Sequence, residues 1–157
     1  MSAPSLLDEA RARGIRLAVA ESCTGGLLAG AITRPPGASD VFDRGFVTYS
    51  NEAKIEILGV SADTLAAHGA VSEPVAAEMA QGALARSRSD IALSVTGIAG
   101  PGGSGLKPEG RVCFGLATLD GAFAETVEFG ALGRDEVREA SVSHALHLLL
   151  EAVQREP

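Results

Sequence analysis

The 157-residue sequence has no tryptophan, one tyrosine and five phenylalanines. Few side chains are therefore available as stacking platforms for nucleic-acid bases. A basic surplus is missing too: 13 lysines and arginines face 20 acids, and the resulting net charge of -7 repels a phosphate backbone. Nucleic acid is not an expected partner, although this balance leaves room for a local basic pocket that holds a small anion. Only two cysteines occur, Cys23 and Cys113, too few for a disulfide scaffold or a cysteine zinc site, and this scarcity fits a reducing compartment. No stretch approaches the ~18 apolar residues of a membrane span, and "MSAPSLLDEARARG" places acids and arginines where a signal peptide needs its apolar core. A cytoplasmic protein without membrane contact is expected.

Familiar catalytic and nucleotide motifs are also missing. No G-x-S-x-G elbow occurs. The run "GPGGSG" from Gly100 fits G-x-G-x-x-G, but "LKPEG" follows it instead of a helix, and Leu106 stands where a Walker loop needs its lysine. His144 and His147 have i, i+3 helical spacing but no evident third ligand, so no metal and no cofactor are expected.

What remains is 46% hydrophobic content, enough for the core of a single domain across residues 1–157. "SLLDEARARG" has Leu6, Leu7 and Ala10 at helical spacing, with Gly14 as its stop. "IRLAVA" (15–20), "GFVTYS" (45–50) and "DIALSVTG" (90–97) read as strands. Helical segments follow at 25–33, over "NEAKIEIL", over "ADTLAAHG" capped by Ser61, and from Ser72 with Pro74 in the first turn. "RVCFGLATL" and "AFAETVEF" form an antiparallel hairpin, with Asp120-Gly121 suggesting a type I′ turn. A final helix over "RDEVREASVSHALHLLLEAV" turns Val137, Ala140, Ala145, Leu148 and Ala152 to one face. Strands alternating with helices predict an α/β fold, a three-layer α/β/α sandwich whose mixed, mostly parallel sheet includes an antiparallel hairpin.

Ligands of such sheets bind beyond the carboxyl ends of the strands. That rule selects "ESCTGG", "YSNEAK" and "TGIAGPGG", each of which follows a predicted strand. With no convincing histidine base, Lys54 is the candidate, one helical turn after Ser50. A desolvated lysine loses its proton near neutral pH and can activate a serine hydroxyl. In "ESCTGG", Gly25 and Gly26 allow close backbone approach, Ser22 and Thr24 supply hydroxyls, and Glu21 can orient one of them. Backbone N–H groups of this turn could hold an oxyanion or a phosphate. Cys23 is the rival nucleophile, since a helix N-terminus lowers a thiol pKa, but no histidine accompanies it.

"AESCTGG", "PPGASDVF", "RGFVTYSNEAK", "HGAVSEPVAAEMA", "VTGIAGPGG", "KPEGRVCFGLAT" and "GRDEVRE" follow in order, and together they resemble the CinA C-terminal domain, a family that includes the nicotinamide mononucleotide deamidases. The resemblance implies hydrolysis of nicotinamide mononucleotide to nicotinic acid mononucleotide and ammonia, without a metal, by a serine and a lysine. It also implies a homodimer. The positions carried over are Ser22, Ser39, Tyr49, Lys54, Thr96 and Arg134. Ser39 is favoured as the attacking group with Ser22 supporting the oxyanion, and the reverse assignment stays open. Tyr49 would orient Lys54 or relay its proton, or else stand as a rim aromatic. Thr96, Gly97 and Gly100 would cradle the substrate with Thr24, Gly25 and Gly26, while Arg134 and, more weakly, Arg44 would clamp its phosphate. The stand-alone form is expected, without the pyrophosphatase domain that full-length CinA proteins add at the N-terminus and without the competence role in the family's name. Two other functions remain in play: a non-catalytic nucleotide-binding module, and an amidase for another small carboxamide.

Overall fold

A computed structural model describes residues 3–156. The chain runs through α1 (Ala3–Arg13), β1 (Leu17–Glu21), α2 (Leu27–Thr33), a short 3-10 turn (Ala38–Asp40) and β2 (Phe42–Val47). It continues with α3 (Asn51–Leu58), α4 (Ala62–His68), α5 (Glu73–Ala85), β3 (Ile91–Gly97), β4 (Arg111–Thr118), β5 (Gly121–Glu128) and α6 (Arg134–Arg155). The five strands form one sheet in the order β2-β1-β3-β4-β5. β1 pairs parallel with β2 and β3, and β4 pairs antiparallel with β3 and β5, so β4 alone runs against the others.

Side-chain alternation along the central strands sorts the two faces. Leu17, Val19, Ile91, Leu93 and Val95 face the layer of α1, α2 and α6, where they meet Leu6, Leu28, Ile32, Val137 and Leu149. Ala18, Ala20 and Ala92 face the other way, against Leu58, Leu65, Val75 and Met79 from α3, α4 and α5. Small residues on that face let α5 settle close to the sheet. At Gly115 on β4 an added Cβ would stand 2.2 Å from the Ala76 carbonyl oxygen. Ser94 fixes the approach, donating to Ala76 O at 2.5 Å and accepting from Gly115 N at 3.1 Å.

Several local expectations shift. β2 begins at Phe42 and ends at Val47, because an edge strand tolerates the polar "FDRG" that a reading based on apolar runs passes over. Ser50 becomes the N-cap of α3, accepting from Ala53 N at 3.0 Å. The hairpin turn is Leu119-Asp120, flanked by the pair Thr118 and Gly121. Neither turn residue has positive φ, which a type I′ turn requires at both, and the left-handed value falls on Gly121 at +131°. In α6 the buried stripe is Val137, Ser141, Ala145, Leu146, Leu149, Ala152 and Val153, which leaves Ala140 and Leu148 only partly covered. No helix among the described residues is long and apolar enough to cross a membrane.

Candidate active site

β1, β2 and β3 end side by side, with Glu21 in register with both Val47 and Val95. Beyond these ends lies a cavity of about 690 Å³ lined by residues of the β1–α2 turn, the β2–α3 turn, the α4–α5 connection, the glycine-rich segment and the start of α6.

Lys54 is buried at 1% exposure although it belongs to the short, largely exposed helix α3. Ser50 caps that helix, and the helix turns the Lys54 side chain back beneath the strand ends. The amine has three neighbours at hydrogen-bond distance: Ser22 Oγ at 3.0 Å, the Thr48 carbonyl at 3.1 Å and the Tyr49 carbonyl at 3.0 Å. Two carbonyl oxygens can only accept, so a neutral amine gives them its two hydrogens and turns its lone pair toward the Ser22 hydroxyl. Desolvation disfavours the ammonium and holds the Lys54 pKa below the usual lysine value. No carboxylate offsets this, because Lys54 takes part in no ion pair among the described residues.

Ser22 follows the last residue of β1, and its N–H is held by Val95 O at 2.9 Å. The turn after it is built around Glu21. That buried carboxylate accepts from Thr24 Oγ1 at 2.5 Å, from Gly26 N at 3.2 Å, from Leu28 N at 2.9 Å and from Ala29 N at 2.9 Å. The amides expected to greet a phosphate are therefore already occupied, and Thr24, Gly25 and Gly26 do not line the cavity. Of the turn's other amides, Gly25 N donates to Ser22 O, and Cys23, which lines the cavity with Ser22, turns its own N–H toward its thiol. Burial, with the nearby Glu21 charge adding to it, pushes the Cys23 thiol up to about 11, so little thiolate is present at neutral pH.

Ser39 is not part of this group. It sits exposed in the turn before β2, while Lys54 follows the other end of that strand, and six extended residues separate them by about 20 Å. Ser39 borders a different depression, with Pro35, Pro36 and Phe42. The structure therefore does not bring Ser39, the serine favoured from the sequence, to Lys54; the serine it brings there is Ser22. Arg44 is displaced likewise: it pairs with Asp43 at 2.8 Å, donates to Arg86 O at 3.1 Å and lies outside the cavity.

Tyr49, Thr96, Gly97, Gly100 and Arg134 do line the cavity. Tyr49 is 60% exposed, and its phenol accepts from Arg134 Nη2 at 3.1 Å while its carbonyl serves Lys54. The phenol thus stands at the rim, and the backbone orients the lysine. Thr96 already donates its hydroxyl hydrogen to Ala70 O at 3.0 Å, so it can offer a ligand only lone pairs. Arg134 also donates to Gly100 O at 2.7 Å and so ties the glycine-rich segment to α6.

Lys107 escaped the sequence reading. Its amine bridges His68 O and Val71 O at 2.6 Å each and lines the cavity. The available signal was scarcity: the chain contains two lysines, 54 and 107, and both face this space. With Arg134 they give the lining three lysine or arginine side chains, beside His68, and no carboxylate, against the acidic balance of the whole chain. Among the described residues no group of three or more His, Cys, Asp or Glu side chains is placed to hold a metal ion. His144 instead lies 2.6 Å from Glu125, and His147 lies 3.3 Å from Glu151.

Comparison with known proteins matches residues 2–153 to the CinA C-terminal domain. A protein from Escherichia coli K12 named nicotinamide-nucleotide amidohydrolase PncC is 53% identical over 140 residues, spanning 88% of this chain and 85% of that one. A CinA-like protein of Chloroherpeton thalassium is 53% identical over 147 residues, and the chain spans 35% of its length. The crystal structure of competence/damage inducible protein CihA from Agrobacterium tumefaciens superposes with a TM-score of 0.93 at 46% identity, covering 98% of this chain and 93% of that one.

Proposed function

The chain belongs to the CinA C-terminal domain family, and from that premise we propose that it hydrolyses the carboxamide of nicotinamide mononucleotide, releasing nicotinic acid mononucleotide and ammonia. The name of the Escherichia coli relative supports this activity, as does a cavity whose basic lining suits a phosphomonoester. The observation that carries the reading is the buried Lys54 amine 3.0 Å from Ser22 Oγ with its other neighbours both carbonyls.

In this reading neutral Lys54 takes the Ser22 proton as Oγ adds to the carboxamide carbon. The C=O electron pair moves onto oxygen, and Cys23 N–H, on a residue of the cavity wall beside Ser22, is the donor assigned to meet it. Collapse breaks the C–N bond, and the Lys54 ammonium gives its proton to the departing nitrogen, which leaves as ammonia. An ester joins Ser22 to the pyridine carbonyl. Water then adds to that ester with Lys54 again accepting a proton, and the proton returns to Ser22 as the carboxylic acid leaves. Arg134 and Lys107 stand where cations can hold the substrate phosphate.

The same reading takes residues 1–157 as one domain and places the enzyme in the cytoplasm, a compartment that suits two cysteines left free. The homodimer of the family resemblance belongs to it too; β5 is an edge strand and exposes Phe123.

The test is ammonia release from nicotinamide mononucleotide, compared with free nicotinamide and with Lys54→Ala. Release from the mononucleotide alone, lost in the variant, supports the deamidase. Release from other carboxamides with little preference points to a broader amidase, and none from any carboxamide points to a binding module.

A further inference from the structure

Glu21 is an unusual residue to find where it is. It is 1% exposed, it makes no ion pair among the described residues, and its four donors are one hydroxyl and three amides. A buried carboxylate is expensive unless its acceptors are filled. As a helix cap it is also indirect: α2 has Gly26 as N-cap, at a φ of +109° and with no side-chain cap of its own. A serine or aspartate at the cap position would satisfy such amides without burying a charge several residues upstream. What Glu21 achieves instead is to draw Thr24, Gly26 and the first turn of α2 back onto the end of β1, folding the chain tightly behind Ser22.

The carbonyls of the same turn are gathered from the opposite side. Arg138 on α6 donates Nε to Cys23 O at 3.1 Å and Nη2 to Thr24 O at 3.3 Å. Its guanidinium lies over Gly25, where an added Cβ would come within 3.3 Å of Nη2 and where the backbone has a φ of +58°. Carboxylate and guanidinium thus hold complementary parts of one turn. Neither side chain lines the cavity.

We propose that Glu21 and Arg138 are positioning residues that fix the turn so that Ser22 Oγ rests against the Lys54 amine. This rests on the Ser22–Lys54 reading above. The consequence is specific: the two side chains serve the chemical step and leave substrate binding alone. A displacement of Ser22 by an ångström costs rate through lost alignment.

The experiment measures kcat and KM for ammonia release by Glu21→Gln, Arg138→Met and Arg138→Lys, with Ser22→Ala alongside and with titrated binding of nicotinic acid mononucleotide to each. The expected result is a fall in kcat of about 30-fold or more for Glu21→Gln and Arg138→Met, with KM and product affinity within about twofold of wild type. Arg138→Lys should recover part of the loss, because one ammonium reaches one of the two carbonyls. The proposal is overturned if the folded variants keep kcat within twofold, or if kcat, KM and product affinity all worsen together as in a general loosening. Should Glu21→Gln not fold, the Arg138 pair decides by the same criteria, since that side chain is only partly buried. Wild-type turnover in Ser22→Ala would instead sink the underlying dyad reading.

Discussion

Lys54 Nζ and Ser22 Oγ lie 3.0 Å apart across 32 positions of sequence, brought together because β1 and β2 are parallel neighbours whose carboxyl ends coincide. The distance matters because of what surrounds the amine. Two carbonyls fix its direction, and desolvation lowers its pKa from the usual lysine value.

A pH dependence follows from that shift. The neutral amine is the working form, so kcat should rise with pH through the depressed Lys54 pKa and level off while an ordinary lysine would still be charged. Linkage gives stability the same sign. Between the lowered native pKa and about 10.5 the unfolded chain binds the extra proton, so stability rises with pH in that window and is flat below it. Lys54→Met should abolish the rising limb, lower kcat by roughly a thousandfold, and remove this contribution to the stability slope. Rate profiles and denaturant melts across that range check both; a rate independent of pH would oppose the assignment.

For the thiol the expectation is inertness. Cys23 is buried beside the proposed nucleophile with its pKa near 11. Iodoacetamide at neutral pH should label it slowly, and hydrolysis should continue in the reagent. Rapid labelling with matching loss of activity would point to a cysteine mechanism.

Removing a rim cation should weaken binding more than chemistry. Arg134→Ala frees both Gly100 and the Tyr49 phenol and takes one positive charge from the lining. We expect KM for nicotinamide mononucleotide to rise about tenfold, with kcat changed less than threefold. Steady-state kinetics at two salt concentrations would show the difference shrinking at high salt, as a charge contribution must.

The layered fold was legible because apolar strands and capped helices carry local signals. The edge strand β2 was less so, since Asp43 and Arg44 interrupt its pattern. At the site, Ser22 and Lys54 could be nominated from residue type, but their contact depends on strand order, which no local pattern encodes. Ser39 was favoured over Ser22 for the same reason, although the topology places it at the far end of β2. Glu21 and Arg138 illustrate a related limit: apart from the Thr24 hydroxyl on Glu21, their partners are backbone atoms, invisible to a search for paired side chains.

One close packing point gives a stability prediction apart from the chemistry. Gly115→Ala puts a methyl group against the Ala76 carbonyl and must push α5 from the sheet. The cost should be about 2 kcal/mol, a fall of roughly 4–8 °C in melting temperature, read by thermal unfolding. An unchanged melting point would show that α5 moves freely.

The choice between the two serines is the most direct test of the account. Ammonia release from nicotinamide mononucleotide should be measured for Ser22→Ala and Ser39→Ala under identical conditions. The account predicts a loss of roughly a thousandfold or more in the first and near wild-type turnover in the second. Full activity in Ser22→Ala, or a collapse confined to Ser39→Ala, would contradict it.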